Sequence, residues 1–327
     1  MNLRHLGNGL SCSAIGLGCM GFSQGYGGAD DRRSVTAIQD ALSAGITLFD
    51  TAMSYGSGHN EQLLGAALRG SGVPREQYRI ASKFGIVRGP DGVALDARPE
   101  RVPGWCDASL HRLGVDHLDL FYLHRPDPTV PIEESVGAMR DLVTAGKVRQ
   151  LGVSEVTPEQ LTRAHAIHPL AAVQLEWSLM WRTPELDIIP AARRLGVGIV
   201  PYSPLGRGLL GGHLQPEGVA DSPFRASDPR FQHQALRTNL HQVDALVALA
   251  AEWGMSPAQL ALAWLLAQGD DVVPIPGSRA PARIVENAGA AEFALDKAQL
   301  DRIDQLVPPG RWAGDRASFA VPVTTRR

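Results

Sequence analysis

The chain has 327 residues, 44% of them hydrophobic and 20% charged, a balance that excludes a disordered chain and suits one large α/β barrel or two smaller domains. A net charge of −3 with both signs interspersed argues against a nucleic-acid partner, and three scattered cysteines (Cys12, Cys19, Cys106) supply neither a disulfide framework nor a paired-cysteine metal site, so no metal is expected. No apolar run reaches the roughly 18 residues that cross a membrane, and the opening "MNLRHLGNGLSCS" lacks the apolar stretch of a signal peptide, so the expected location is the cytoplasm.

In chain order, residues 1–13 read as a small hairpin. Short β-like runs then recur at 14–20, 46–50, 79–84, 118–124, 148–154, 171–177, 197–203 and 272–278. Helical spacing separates them. "DDRRSVTAIQDALSAG" places Val35, Ile38, Ala41 and Leu42 on one face, and "PIEESVGAMRDLVTAGK" does the same with Val136, Met139, Leu142 and Val143. "TPEQLTRAHAIH" and "SPAQLALAWLLAQG" each open with a hydroxyl cap and a proline at the first helical position. The seventh and eighth runs are unusually far apart. The Gly-, Pro- and charge-rich stretch after Gly208 reads as a long loop over the mouth, followed by an extra helix from Thr238 onward. Eight strands alternating with helices argue for an α/β fold, a (β/α)8 TIM barrel of one domain over 1–327, with the hairpin closing its floor.

The rival is an open dinucleotide-binding sheet, suggested by "GLGCMG" at 16–21. That fingerprint requires a helix to begin within the glycine run, so that its N-terminus holds the pyrophosphate. Here "FSQGYGGADD" follows, which reads as a loop, so the match is a decoy.

In such barrels the chemistry sits at the C-terminal ends of the strands. Those ends carry Asp50, Lys83, His124, Ser154, Gln174 with Glu176, Tyr202 with Ser203, and Gly277 with Ser278. An aspartate there serves equally well as a turn cap, and a histidine after "FYL" as an ordinary core residue. Lys83 is harder to place. Only three of the 31 basic residues are lysines, and an unpaired ammonium inside the apolar run "IASKF" costs several kcal/mol. It needs a counter-ion, and Asp50, one strand over, is the nearest candidate. An ammonium backed by an acid lowers the pKa of a phenol beside it, ordinarily near 10. Tyr55, on the loop after Asp50, reaches over that pair, and His124 offers a hydrogen bond to a polarised substrate oxygen. Such a relay suits protonation of a carbonyl oxygen while a hydride reaches its carbon.

"FDTAMSYGSGHNEQLLGAAL" (49–68), Lys83 at the end of its strand, His124 after "LFYL", "LGVSE" (151–155), "YSPLGRGLL" (202–210) and "IPGS" with "ENAGA" (275–290) together resemble the aldo-keto reductase family. The likeness is strongest to its bacterial and fungal single-domain branch, related to pyridoxal and general aldehyde reductases. The motifs stand in the family's order and cover nearly the whole chain. The resemblance implies a catalytic tetrad of Asp50, Tyr55, Lys83 and His124, with Tyr55 as the general acid in reduction. It also implies a nicotinamide cofactor, NADPH with NADH as the alternative, and small carbonyl substrates. By the same resemblance Ser154 and Gln174 hold the carboxamide and the nicotinamide stacks on Tyr202. Ser203, Leu205, Arg207 and Gly208 follow the pyrophosphate. Gly277, Ser278, Arg279 and Arg283 meet the 2′-phosphate end, Glu286 and Asn287 the adenine, and Met20 and Gly21 the active-site edge. Two arginines four apart at a helix start, Arg279 and Arg283, suit a phosphate on physical grounds as well. Arg207 reads equally as a surface charge, and Arg283 as a solvated helix residue.

Two positions depart from the common pattern. Glu155 stands where many members have Asn, and Gly277 where many have a lysine, which passes the phosphate-pairing role to Arg279. The expected substrate-pocket walls are Phe22, Tyr26, the Trp177–Trp181 stretch and the long loop after Gly208, an apolar set that favours aromatic or medium aliphatic aldehydes. Two other functions compete with reduction of carbonyls. One is a Schiff-base lyase on Lys83, which leaves Tyr55 and Gln174 without work. The other is a non-catalytic or slow cofactor-binding sensor of the same family. Oligomeric state is left open by the sequence.

Overall fold

The structure is a computed structural model and describes residues 1–89 and 92–316. The expected domain span of 1–327 therefore includes residues 90–91 and 317–327, which lie outside the described residues. Seven parallel strands pair in sequence order: β1 (Leu17–Gly18), β2 (Leu48–Asp50), β3 (Arg79–Phe84), β4 (Leu118–Leu123), β5 (Val148–Ser154), β6 (Leu170–Glu176) and β7 (Gly198–Tyr202). Residues 272–277 fill the eighth position, so the expected (β/α)8 barrel is the observed architecture.

That last segment forms no regular ladder, and its prolines are the reason. Val273 and Ile275 donate to Ile199 and Pro201 on the β7 side, at 2.9 and 3.0 Å. On the β1 side Pro274 and Pro276 only accept, from Gly16 and Gly18 at 3.0 and 3.2 Å. With no N–H at alternate positions, half of the ladder bonds to β1 cannot exist. The strands expected over 14–20 and 272–278 are accordingly shorter or irregular in the structure. Met20 lies in a 3-10 turn, Met20–Phe22, and not in a strand. No α-helix follows the "GLGCMG" glycines until Asp31. Gly18 is needed because a Cβ there would stand 2.7 Å from the Ile275 carbonyl oxygen.

Side chains alternate along the strands with period two. One set packs the barrel interior: Leu48, Ala81, Leu120, Tyr122, Ala172, Val200, Val273 and Ile275, with Leu6, Leu10 and Cys12 from below. The last three come from the N-terminal hairpin, Leu3–His5 paired antiparallel with Ser11–Ser13, which closes the floor as expected. Continuing the same alternation upward puts Asp50, Lys83, His124, Ser154, Gln174 and Tyr202 at the top of the interior.

Outside lie α1 (Asp31–Ser43), α2 (His59–Arg69), α3 (Val102–Leu113), α4 (Ile132–Thr144), α5 (Pro158–Ile167) and α6 (Ile188–Arg194). Asp30 caps α1 by accepting from the amides of Arg32 and Arg33. Thr157 and Gln160 form a reciprocal cap on α5. The extra helix, α7 (His233–Glu252), begins five residues before the expected Thr238, because its apolar stripe extends back to buried Leu236. It is followed by α8 (Pro257–Leu266), α9 (Pro281–Gly289) and α10 (Lys297–Leu306). A second hairpin, Ile86–Gly89 with Gly92–Leu95, follows β3 and was not anticipated by the sequence reading. Among the described residues no helix is long and apolar enough to cross a membrane.

The closeness of β1 to the proline-bearing segment gives a direct test. Gly18→Ala forces a backbone shift at the barrel seam and is expected to destabilise the fold by about 1–3 kcal/mol, read as a lower denaturation midpoint at unchanged secondary structure.

Candidate functional site

The strand ends converge on a cavity of about 430 Å³. The register brings the candidate residues together: Asp50 pairs with Ala81 on β3, two residues before Lys83, and Lys83 is itself opposite Tyr122 on β4. Lys83 has no exposed surface. Its ammonium donates to Asp50 Oδ1, to the Thr51 carbonyl at 2.8 Å and to the Tyr55 hydroxyl at 3.5 Å. The second oxygen of Asp50 accepts from Gln174 Nε2 at 2.8 Å. Burial, the largest influence, pulls the Lys83 ammonium down, but Asp50 and Tyr55 outweigh it, and the group is held protonated above its ordinary range.

Tyr55 departs from the sequence expectation in one respect. Burial pushes its phenol pKa up, and Lys83, although the strongest opposing influence, does not cancel that. The hydroxyl is therefore protonated at neutral pH. His124 stands edge-on to the Tyr55 ring, with centroids 5.8 Å apart at 80°. Burial, then Arg125 and Lys83, hold its imidazole well below the usual range, so the ring is neutral.

The loop carrying Tyr55 is fixed from several directions. Tyr55–Gly58 is a 3-10 turn in which Ser57 and two glycines take positive φ. Asn60 donates to the Cys19 carbonyl and to Ser23 Oγ, each at 2.9 Å, and accepts from Thr51 Oγ1 at 2.7 Å. Glu61, wholly buried, accepts from Ser82 Oγ at 2.5 Å and from Arg112 Nε at 2.6 Å, which locks α2 to β3 and α3. Gln24 Oε1 accepts from the Gly56 amide at 3.1 Å. The anchoring roles of Glu61 and Gln24 were not foreseen.

Apart from Lys83 and Ser154, every candidate site residue read from the sequence lines the cavity. Lys83 sits behind Asp50 and Tyr55. Ser154 is buried beneath Arg125, whose guanidinium donates to its hydroxyl at 3.0 Å and lies 5.9 Å from the Tyr202 ring centroid. Two expectations, on the pocket walls and on their apolar character, need correcting. Phe22 and Trp177 belong to the packed core, the indole N–H of Trp177 donating to Glu185 at 2.9 Å, and Trp181 lies against Arg316 outside the cavity. Of the expected walls only Tyr26 and the long loop line the cavity. The wall near Tyr55 is also not apolar, since Gln24, Arg88 and Arg125 face it. Arg207, expected along the pyrophosphate, directs its guanidinium to Asp228 at 3.3 Å and to the Phe224 carbonyl at 2.7 Å.

Glu155 begins a buried charge network that no pattern in the sequence announced. It takes positive φ and pairs with Arg316, which also reaches Glu176 at 3.5 Å. Glu176 in turn meets Arg230 at 2.6 Å, and Arg230 meets Asp228, the partner of Arg207. Burial alone would raise the Glu176 carboxyl; Arg230, Arg316 and Arg207 hold it below its ordinary range. The network bolts the long loop and residue 316 to the ends of β5 and β6.

The other end of the cavity is strongly cationic. Arg279 donates to the carbonyls of Tyr26 and Gly28, which clamps that loop over the start of α9. Arg283 and Arg33 border the same recess. Arg225, from the long loop, joins them over the Tyr26 ring, 5.4 Å from its centroid. Burial and the neighbouring cations Arg279, Arg283 and Arg207 lower the pKa of Arg225. Among the described residues none of Arg33, Arg225, Arg279 and Arg283 lies within 4.0 Å of a carboxylate. Asp30 borders the recess too, but the arginines outnumber it, and an excess of positive charge at a helix N-terminus suits a polyanion. Arg33 and Arg225 were missed in the sequence because they reach the recess from α1 and from a single helical turn, Pro223–Ala226, within the long loop.

The family model for the aldo/keto reductase family matches residues 14–308. A probable aldo-keto reductase 1 from Glycine max is 46% identical over 310 residues, which cover 94% of this chain and 89% of that one. Among solved structures, a glycerol dehydrogenase from Gluconobacter oxydans is 30% identical with a TM-score of 0.85, covering 98% of both chains. An aldo/keto reductase from Klebsiella pneumoniae in complex with NADP and acetate is 28% identical with a TM-score of 0.72, covering 96% of this chain and 97% of that one.

The buried, neutral imidazole predicts a pH dependence. Because the folded-state pKa of His124 lies below its unfolded value near 6.5, the unfolded chain binds a proton that the folded one refuses as pH falls below about 6.5. Stability is then lost on acidification by up to about 1.4 kcal/mol per pH unit from this group. Denaturation of wild type and His124→Gln at pH 5.5 and 7 is expected to show a shallower slope in the variant.

Proposed function

The chain belongs to the aldo/keto reductase family, and from that premise we propose that it is an oxidoreductase that uses NADPH to reduce aldehydes and some ketones to alcohols, with Tyr55 as the proton donor. The observation that carries this reading is the Asp50–Lys83–Tyr55 relay, beside neutral His124, in a cavity whose far end is an uncompensated arginine cluster.

The residues present fit a phosphorylated dinucleotide. Arg225, Arg279 and Arg283 with the N-terminus of α9 would take the phosphate of the adenosine end, and Glu286 and Asn287 the adenine. Ser203, Leu205 and Gly208 with Gly277 and Ser278 border the path between, and Arg207 shapes it through Asp228. The Tyr202 ring and the Ser154 hydroxyl would receive the nicotinamide, beside Gln174 and under the edge formed by Met20 and Gly21. NADH fits the same cavity but leaves the arginine cluster without an anion, which favours NADPH. When bound, the nicotinamide supplies the hydride that adds to the carbonyl carbon.

The protein's own residues handle the proton. Tyr55, kept protonated by burial, donates its hydroxyl proton to the carbonyl oxygen as negative charge develops there. The phenolate that remains faces Lys83 at 3.5 Å, and Asp50 keeps that lysine charged. Gln174 holds the second oxygen of Asp50. His124, being neutral, serves as a hydrogen-bond donor to the substrate oxygen and does not compete as an acid.

Tyr55→Phe is expected to lower kcat by about 10²–10⁴-fold on an aldehyde panel while NADPH still quenches protein fluorescence. Turnover at the wild-type rate in that variant would defeat the assignment. Separately, Arg225→Ala and Arg283→Ala are each expected to weaken NADPH binding by about 10–100-fold, with a much smaller effect on NADH, in paired titrations.

A further inference from the structure

The dinucleotide accounts for the cations at one end of the cavity, and internal pairs account for most of the others. Lys83 is matched by Asp50, Arg316 by Glu155 and Glu176, and Arg207 by Asp228. Two arginines at the catalytic end remain. Arg125, next to His124, is half-buried and donates only to neutral oxygens: the His124 carbonyl at 2.7 Å and Ser154 Oγ at 3.0 Å. Arg88, on the hairpin after β3, makes two long bonds, to the Ser54 carbonyl at 3.3 Å and to Gln24 Oε1 at 3.4 Å. Among the described residues neither lies within 4.0 Å of a carboxylate. Arg88 thus touches the residue before Tyr55, and Arg125 is the residue after His124. Both line the cavity wall that the sequence reading had taken as apolar.

We propose that the substrate is a carbonyl compound that also carries a carboxylate or phosphate group, and that Arg88 and Arg125 bind that anion. The proposal rests on the reductase reading above and narrows its substrate class. Arg125, half-buried with only neutral hydrogen-bond partners, is left electrostatically unsatisfied, while Arg88, exposed at the rim, adds a second cation held only by long bonds, and an anion entering the cavity engages both through charge-assisted, forked hydrogen bonds. Arg125 is also placed to swing. Its present contacts, the Ser154 hydroxyl and the Tyr202 ring face, are those assigned above to the nicotinamide, so cofactor binding turns the guanidinium out into the substrate space. The competing explanation is that both arginines only staple loops, and it makes a different forecast.

The test compares matched substrates under saturating NADPH: 4-formylbenzoate against its methyl ester, and glyceraldehyde 3-phosphate against glyceraldehyde. Wild type is expected to favour the charged member of at least one pair by about tenfold or more in kcat/KM, mainly through KM, and to lose that preference as salt is raised. The pair that shows it separates carboxylate from phosphate recognition. Arg88→Gln and Arg125→Gln are each expected to cut the charged-to-neutral ratio by about tenfold, and Arg88→Lys and Arg125→Lys to restore part of it. A wild-type ratio near one for both pairs, or variants that slow both members of a pair equally, overturns the proposal while turnover of the neutral members leaves the reductase reading standing. Absence of NADPH consumption with all four compounds overturns both.

Discussion

The Asp50–Lys83 ion pair is the constraint around which the top of the barrel is arranged. An ammonium with no exposed surface is tolerable only with a carboxylate and further acceptors in contact, and here Asp50, the Thr51 carbonyl and the Tyr55 hydroxyl supply them. Asp50 is equally dependent, with its second oxygen on Gln174 from the far side of the barrel. Four groups on β2, β3, β6 and the loop after β2 must therefore keep their places together. Removal of either charge alone leaves the other buried and unpaired, at a cost of about 3–5 kcal/mol.

That pair also sets the electrostatics of Tyr55. Lys83 holds a positive charge close to a phenol that burial keeps protonated. Burial and ammonium act in opposition on the same hydroxyl, and the resting state is decided by burial. The loop that carries the hydroxyl is held by Asn60 and Glu61 on α2 and by Gln24 on the loop after β1, so the distance to Lys83 is governed by side chains on two other segments.

Charge is distributed along the cavity in a graded way. At its centre every arginine has a carboxylate, in the run Glu155–Arg316–Glu176–Arg230–Asp228–Arg207. At both ends arginines stand without one among the described residues. The central network fixes the long loop and the segment around residue 316 against the strand ends. Arginines at the centre and at the ends are thus distinguished by their partners and not by residue type.

Much of this was determined by the sequence alone. Short apolar runs alternating with capped helices specify the barrel, because each capping pair and apolar stripe acts within one element. Asp50, Lys83 and His124 stood out locally, as polar groups at otherwise apolar strand ends, and Tyr55 through its place on the loop that follows Asp50. The tertiary structure decided what depends on juxtaposition. The irregular eighth strand follows from prolines meeting glycines at the seam, and the Tyr55 pKa follows from burial outweighing a neighbouring charge. Phe22 and Trp177 were read as pocket walls and proved to be core, since hydrophobicity does not say which side of a loop faces inward. Arg88, Arg125, Arg225 and Arg316 were indistinguishable from surface charges in the sequence. Whether an arginine is matched by an acid depends on contacts between elements far apart in the chain, and only the fold brings those together.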